Sequence, residues 1–359
     1  MVLTMKISEI KKVLSEFVFF RKTLKRYSKM MKTGKYFLFP TMRAMVVDEP
    51  KTYDVATLYF NKKTPNSMRK KLIKIANKVG FFKNVASSVQ EYEAMYIANN
   101  YDSVRETKLF SFSNKKILTI CANEKDYEEQ IKLYDELHCY FNIPKIKKAC
   151  SYNNAYEITM IDFKKRPCDE KALKNILFSV SNYNKSVKEK LSCSVGQLLL
   201  FNYEDNEINC ILNSICSQIS TAVRDLEIPI CQQHGDLSRD NLIYGESEEQ
   251  ETFWWIDWEH KGNRVFFYDY FFYILNTALY FKDTYAFENY MNGNYNEDLR
   301  VFFESFGVEF YPEKLRDYFL VYFVAFLKER VCDRGNIIAL KMYRDFALNN
   351  KLLTKDCTI

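Results

Sequence analysis

The run Cys231–His260, CQQHGDLSRDNLIYGESEEQETFWWIDWEH, constrains this chain more than any other stretch. Leu242-Ile243-Tyr244 and Thr252-Phe253-Trp254-Trp255-Ile256 are rich in β-branched and aromatic residues. Between them lies a polar loop, Gly245–Glu251, with a glycine and four acids. Two such runs across such a loop read as an antiparallel hairpin, with a loop longer than the usual short turns. With the loop centred near Glu249, Leu242 faces Ile256 and Asn241 faces Asp257. An amide oxygen and a carboxylate then stand side by side at one end of the ribbon. Such hard oxygen ligands suit Mg²⁺, which shares its shell with phosphate and water. Asp236, five residues before Asn241, lies at the entrance to the same place, where it can take a proton from an attacking hydroxyl. The residues between, Leu237-Ser238-Arg239-Asp240, are too rich in turn formers for a strand.

One Asp as proton acceptor, with an Asn and a second Asp holding metal over phosphates, is the arrangement used for phosphoryl transfer. His234-Gly235-Asp236, four residues, Asn241, and then Ile256-Asp257-Trp258-Glu259 resembles the aminoglycoside phosphotransferase and choline kinase family, which shares the protein-kinase fold. The resemblance implies an α+β, two-lobed, protein-kinase-like fold with a small sheet-containing N-lobe and a mainly helical C-lobe. It also implies Asp236 as catalytic base, Asn241 and Asp257 as Mg²⁺ ligands, and ATP and Mg²⁺ as cofactors. The plain alternative is a surface turn rich in Asp and Asn.

Three divisions of the chain are expected: an N-terminal extension with the start of the N-lobe over 1–100, a nucleotide-binding N-lobe over 101–162, and a helical C-lobe over 163–359. Short strands are expected at Tyr36–Pro40 and Ala56–Phe60, and helices at Ser67–Val79 and Val85–Asn99. A strand pair follows at Glu106–Ser113 and Lys116–Ala122, then a helix at Asp126–Tyr140 and the segment Asn142-Ile143-Pro144. In the family that order forms the nucleotide lobe, where a strand lysine holds phosphate oxygens and a helix glutamate orients it. The spacing back from Pro144 picks Glu129, or else Glu128, as the glutamate. Thr119 stands where the lysine is expected, so Lys108 on the neighbouring strand, or Lys116, has to reach in. A different register would pair Lys74 with Glu91. Ala155–Ile161 reads as a strand, and the resemblance makes Met160 and Ile161 the connector whose backbone holds the adenine edge.

From Asp169 the pattern turns helical, with apolar faces over Ala172–Val180, Val187–Phe201 and Ile208–Leu226. Asp269 falls before a further helix, as an N-cap or a partner of the catalytic loop. Arg239 reads either as a phosphate contact or as an exposed loop arginine. Trp254, Trp255 and Trp258 suggest either an aromatic cage for a quaternary amine or core packing.

Ten cysteines without a CxxC pair suggest reduced thiols and a cytoplasmic setting. A net charge of +6 comes with no arginine-rich array or zinc pattern, so no nucleic-acid partner is expected. Residues 1–35 hold ten Lys and Arg against two Glu, with Ile7, Ile10, Leu14, Phe17, Leu24 and Tyr27 at helical spacing. Such a helix either lies on the inner face of a membrane as a peripheral contact or packs on the body with its basic side in water. The function expected from these readings is phosphorylation of a small-molecule hydroxyl: a sugar or cell-envelope saccharide, an amino alcohol or an aminoglycoside. The rivals are a pseudokinase kept as a binding module and a membrane-peripheral interaction protein.

Overall fold

Leu109 and Phe110 are successive residues of one strand, so they point to opposite faces of its sheet, and both are buried. The neighbouring strands show the same pattern, which marks a sheet covered on both sides. The computed structural model describes residues 15, 18–39, 44–60, 73, 75, 77, 83–85, 91–100, 103–148, 154–247 and 249–353. Among them, eight antiparallel strands lie in the order β3-β1-β2-β4-β5-β6-β8-β7. These are β1 (Gly34–Leu38), β2 (Ala44–Val47), β3 (Lys83–Val85), β4 (Ala94–Asn100), β5 (Ser103–Ser111), β6 (Lys116–Cys121), β7 (Ile146–Lys148) and β8 (Ala155–Thr159).

Register aligns the apolar rows. Leu38, Met45, Met95, Leu109 and Leu118 are cross-strand neighbours on one face. Phe20, Leu24, Tyr27 and Met31 cover that row, and residues 18–26 of this segment are helical. Phe37, Val46, Ala94, Phe110 and Ile117 form the opposite row, covered by Ala56 of the helix Pro50–Phe60. The described turns of the basic segment therefore pack on the body, with Arg21, Lys22, Lys25 and Arg26 exposed.

The chain falls into two compact units. The first comprises Met1–Cys139, Ile143–Lys164 and Gly245–Glu251; the second comprises Tyr140–Asn142, Lys165–Tyr244 and Thr252–Ile359. The α+β class expected from the sequence is what these units show, the first built on the sheet and the second mainly helical. In the second unit, β10 (Leu191–Ser194), β11 (Glu227–Gln233) and β14 (Gly262–Val265) form an antiparallel ribbon. Beside it in the core lie the helices Tyr268–Tyr280 and Leu315–Leu327, which are apolar and buried on nearly every side. No helix among the described residues is long and apolar enough to cross a membrane.

Four expectations need correction. Ala56–Phe60 is the end of a helix, because Pro50 opens it at a position where the missing N–H costs nothing, and Thr52 and Ala56 are buried one turn apart. Val85–Asn99 holds the end of β3 and most of β4 rather than a helix, since Met95 and Ile97 face one core and Ala94 the other. Val187–Phe201 contains β10 and only a short helix, Val195–Leu198, capped by the Ser194 hydroxyl. Ile208–Leu226 is broken after Cys216, where the Arg224 guanidinium binds the carbonyls of Cys216 and Ile219. Most of the expected helix Ser67–Val79 lies outside the described residues.

Leu24 has no solvent exposure, so Leu24→Ala is expected to destabilise the protein by about 2–5 kcal/mol. Lys25→Gln, on the wet side of the same helix, is expected to stay within about 0.5 kcal/mol. Chemical denaturation of the two variants checks this. Equal, small effects would mean that the helix does not seal the sheet.

Candidate active site

Strand β11 ends at Gln233, and the chain must turn sharply to expose the next polar residues. Gly235 makes the turn with φ of +80°, in the left-handed region open to glycine. A Cβ there would lie 2.3 Å from the His260 carbonyl oxygen, so the position is closed to any side chain. Asp269 fastens the turn from the first turn of the helix Tyr268–Tyr280. Its carboxylate accepts the His234 N–H at 2.6 Å and the Gly235 N–H at 2.8 Å. In return, the Gln233 side-chain oxygen accepts the Asp269 N–H at 3.0 Å. Burial pushes the Asp269 carboxyl up to about 6, while the two amides pull the other way. Asp269 is thus the loop partner that the sequence suggested.

His234 is fully buried among Trp255 and Trp258. Its Nε2–H donates to the Ile256 carbonyl at 2.7 Å, and its Nδ1 accepts the Asp236 N–H at 3.3 Å. These bonds need the neutral ring, and burial holds its pKa down at about 4. The imidazole links the loop of Asp236 to the arm that carries Asp257.

The second link is the hairpin of β12 (Leu242–Ser247) and β13 (Gln250–Trp255). The Ile256 N–H donates to the Asn241 carbonyl at 2.9 Å. The strands are adjacent, as expected, but this bond sets Asn241 against Ile256, one residue short of Asp257. The reason is the turn: only two residues separate the strands, and Glu249 takes φ of 67°. With both its N–H and its C=O engaged, Ile256 fixes the start of the next residue. Asp257 then adopts φ 64° and ψ 57°, a left-handed backbone that non-glycine residues seldom occupy and that clusters at functional sites. Its side chain is exposed, and among the described residues none donates to its carboxylate.

Asn241 is nearly buried. Its Nδ2 donates to the Asp236 backbone oxygen at 2.8 Å and to the carboxylate Oδ2 at 3.2 Å. The amide oxygen points away from these bonds. Asp236 keeps a side-chain exposure of 37%, and its Oδ1 lies 3.8 Å from an Arg330 nitrogen. So Asp236 and Asn241 are joined directly, and Asp257 follows the residue bonded to Asn241.

The other readings fare differently. Arg239 is bound by Asp169 and by Asp283, the latter at 2.6 Å, so it is a structural cation rather than an exposed loop arginine. Trp254, Trp255 and Trp258 are all buried, which makes them core rather than a cage. In the first unit, Lys108 pairs with Glu106 at 2.8 Å on its own strand, and Glu129 pairs with Lys125 on its own helix at 3.9 Å. Lys116 pairs with Glu91 and with Glu157, so Glu91 already has a cation, while Lys74 lies outside the described residues. The Met160 N–H donates to the Lys115 carbonyl at 2.8 Å, and Met160 and Ile161 are buried. Gln233 and Arg330 were not singled out by sequence. Each acts through a partner 36 or 95 residues away, and no local pattern marks such a contact.

No family model matches the chain, and no curated protein matches it. Among solved structures, the chain is similar to a choline kinase from Streptococcus pneumoniae, with 12% identity over 72% of this chain and 91% of that one and a TM-score of 0.39. It is similar also to an amicoumacin kinase, with 11% identity over 72% and 89% and a TM-score of 0.42. A microcompartment-associated aminopropanol kinase gives 14% identity over 74% and 94%, with a TM-score of 0.39.

The buried imidazole gives a signed prediction. Its folded pKa lies below the usual 6.5, so its contribution to stability is present above pH 6.5 and is lost as pH falls toward 4. The loss amounts to about 3 kcal/mol. Asp269, raised to about 6, acts oppositely: its contribution is full below the usual carboxylate range and fades as pH rises through 6. Both effects are present in the wild type, whereas His234→Gln keeps only that of Asp269. The wild-type stability, minus that of the variant, is therefore expected to shrink between pH 6.5 and 4 in denaturant titrations. A constant difference would refute the neutral-ring assignment.

Proposed function

We propose that this chain is an ATP- and Mg²⁺-dependent phosphotransferase that phosphorylates a hydroxyl of a small molecule. The observation that carries the reading is the division of labour in the Asn241 amide. Its NH₂ end is committed to Asp236, which leaves its oxygen facing elsewhere, beside the arm that presents Asp257, to whose carboxylate no described residue donates. That donor set fits Mg²⁺, which is held by one or two carboxylates together with phosphates and water rather than by an all-protein cage. Among the described residues there is also no cluster of three or more His, Cys, Asp or Glu that would form such a cage.

In this reading Asn241 and Asp257 would hold the ion, whose role when bound is to offset charge on the transferring phosphoryl group. Asp236 accepts the proton of the acceptor hydroxyl and orients its oxygen for attack. The Asn241 amide keeps the Asp236 carboxylate from swinging, and the half-exposed position of Asp236 lets a substrate reach it. Lys108 is the proposed phosphate cation of the first unit, steadied by Glu106 on its own strand, and Met160 and Ile161 are the proposed adenine-holding connector. The acceptor proposed is a sugar or cell-envelope saccharide, an amino alcohol or an aminoglycoside. A binding module without turnover is the second reading. It is favoured by the pairing of Glu129 with Lys125 on its own helix where a helix glutamate would otherwise orient the phosphate lysine.

The test is Mg²⁺-dependent nucleotide turnover by the purified protein, with and without a panel of sugars, amino alcohols and aminoglycosides. Turnover is expected to rise with one acceptor class. Asp236→Ala is expected to lower it about a hundred- to ten-thousandfold, and Asp257→Asn to raise the Mg²⁺ concentration needed. A protein that fails to bind nucleotide even with Mg²⁺ would be the binding module.

A further inference from the structure

The helix Leu315–Leu327 does not end in an ordinary last turn. It widens into a π-helical turn, Lys328–Cys332, a local defect that is often found at functional sites. Two successive side chains of this turn reach the region of the catalytic loop. Glu329 binds the Arg264 guanidinium through both its oxygens, and Arg264 lies close enough to Gly235 to block a Cβ there. Arg330 goes to the loop itself. It donates to the Gly235 carbonyl at 2.5 Å, and the same nitrogen lies 3.8 Å from Asp236 Oδ1. The Arg330 side chain is only 12% exposed, whereas that of Asp236 is 37% exposed, so the arginine is held in place on the protein side of the contact.

The two faces of the Gly235 peptide neighbourhood are thus held from different helices. Asp269 takes the Gly235 N–H, and Arg330 takes the Gly235 carbonyl. Asp236 is itself gripped on two sides, with Asn241 on Oδ2 and Arg330 near Oδ1. A cation at this distance restrains a carboxylate electrostatically rather than by a hydrogen bond.

We propose that Arg330 is a positioning residue for Asp236, and that the π-helical turn exists to bring it there. The inference rests on the phosphotransferase reading for its catalytic consequence, but not for its structural one. Arg330 also lies 3.7 Å from Glu329, but of the arginines of this region it is the one whose guanidinium bonds the Gly235 carbonyl next to Asp236: Arg239 and Arg264 bond carboxylates other than Asp236, and Arg166 bonds the Leu242 carbonyl and the Tyr273 hydroxyl.

The experiment compares wild type, Arg330→Lys and Arg330→Met by two readouts. The first is hydrogen exchange, followed by mass spectrometry, over peptides spanning 233–242. Arg330→Met is expected to exchange there about tenfold faster or more, while the sheet of the first unit keeps its protection. The second is steady-state phosphotransfer. Arg330→Met is expected to lower kcat about tenfold or more, with KM for nucleotide changed less than about threefold. Arg330→Lys is expected to recover part of the loss, as is guanidinium ion added to Arg330→Met. Unchanged exchange over 233–242 in both variants would overturn the proposal. So would a parallel change in KM and kcat without recovery, which would make Arg330 a packing residue. Should the wild type show no turnover, the phosphotransferase reading falls, and the exchange measurement still decides the role of Arg330. Should Arg330→Met fail to fold, Arg330→Gln, which likewise removes the cation, carries the exchange comparison, and unchanged exchange over 233–242 would then overturn the proposal.

Discussion

The site depends on a buried carboxylate to which, among the described residues, no lysine or arginine is directly bonded. Asp269 is removed from solvent, a costly place for a charge unless its oxygens are well bonded. What bonds them is two consecutive backbone amides, those of His234 and Gly235. The exchange is mutual, because those amides sit at the end of β11 where the strand ladder no longer supplies acceptors and orphaned buried N–H groups are rarely tolerated. Removing the carboxylate would leave two donors buried without partners and free the turn that carries Asp236. The geometry of the loop therefore follows from the helix Tyr268–Tyr280, whose aromatic surface is itself locked in the core.

The second arm is held by neutral groups, and this has an electrostatic consequence. His234 and Asn241 bind the carbonyl and the amide of Ile256 respectively. Neither contributes a charge, so nothing in these links offsets Asp236 or Asp257. Asparagine also does at position 241 what aspartate could not. A carboxylate there would repel Asp236 and offer it no donor, whereas the amide donates at one end and keeps an oxygen at the other. The left-handed backbone of Asp257 is a strain that Ile256 enforces from one side and the buried Trp258 from the other.

How much of this could be read in advance depends on the range of each interaction. The pairing of the strands around Gly245–Glu251 was legible, because alternation and turn formers are local signals. The register was missed by one residue, because the turn is confined to two residues and not spread around Glu249. Val85–Asn99 looked helical because strands buried on both faces lose the polar alternation that identifies a strand. The grip of Asp269 on the loop was anticipated only as one of two alternatives. The reach of Arg330 to Gly235 had no sequence signal at all, since a π-helical turn carries no composition of its own and the contact spans 95 residues.

The arginines around the loop sharpen the charge argument. Arg166, Arg239 and Arg264 are each committed within the unit, to carbonyls and a hydroxyl, to Asp169 and Asp283, and to Glu329. Such partly buried pairs contribute little net stability, because desolvation offsets most of their attraction, but they remove these cations from other duties. Arg330 lies 3.8 Å from Asp236 and 3.7 Å from Glu329, while its closest bond goes to the Gly235 carbonyl. Asp257 receives no such help from the described residues. Its exposed carboxylate stands on a left-handed backbone that glycine or asparagine would adopt at lower cost. The Mg²⁺ proposed above would give that carboxylate a counter-charge. On the phosphotransferase reading proposed above, the left-handed backbone of Asp257 serves a carboxylate that would bind a cation rather than a requirement of the fold.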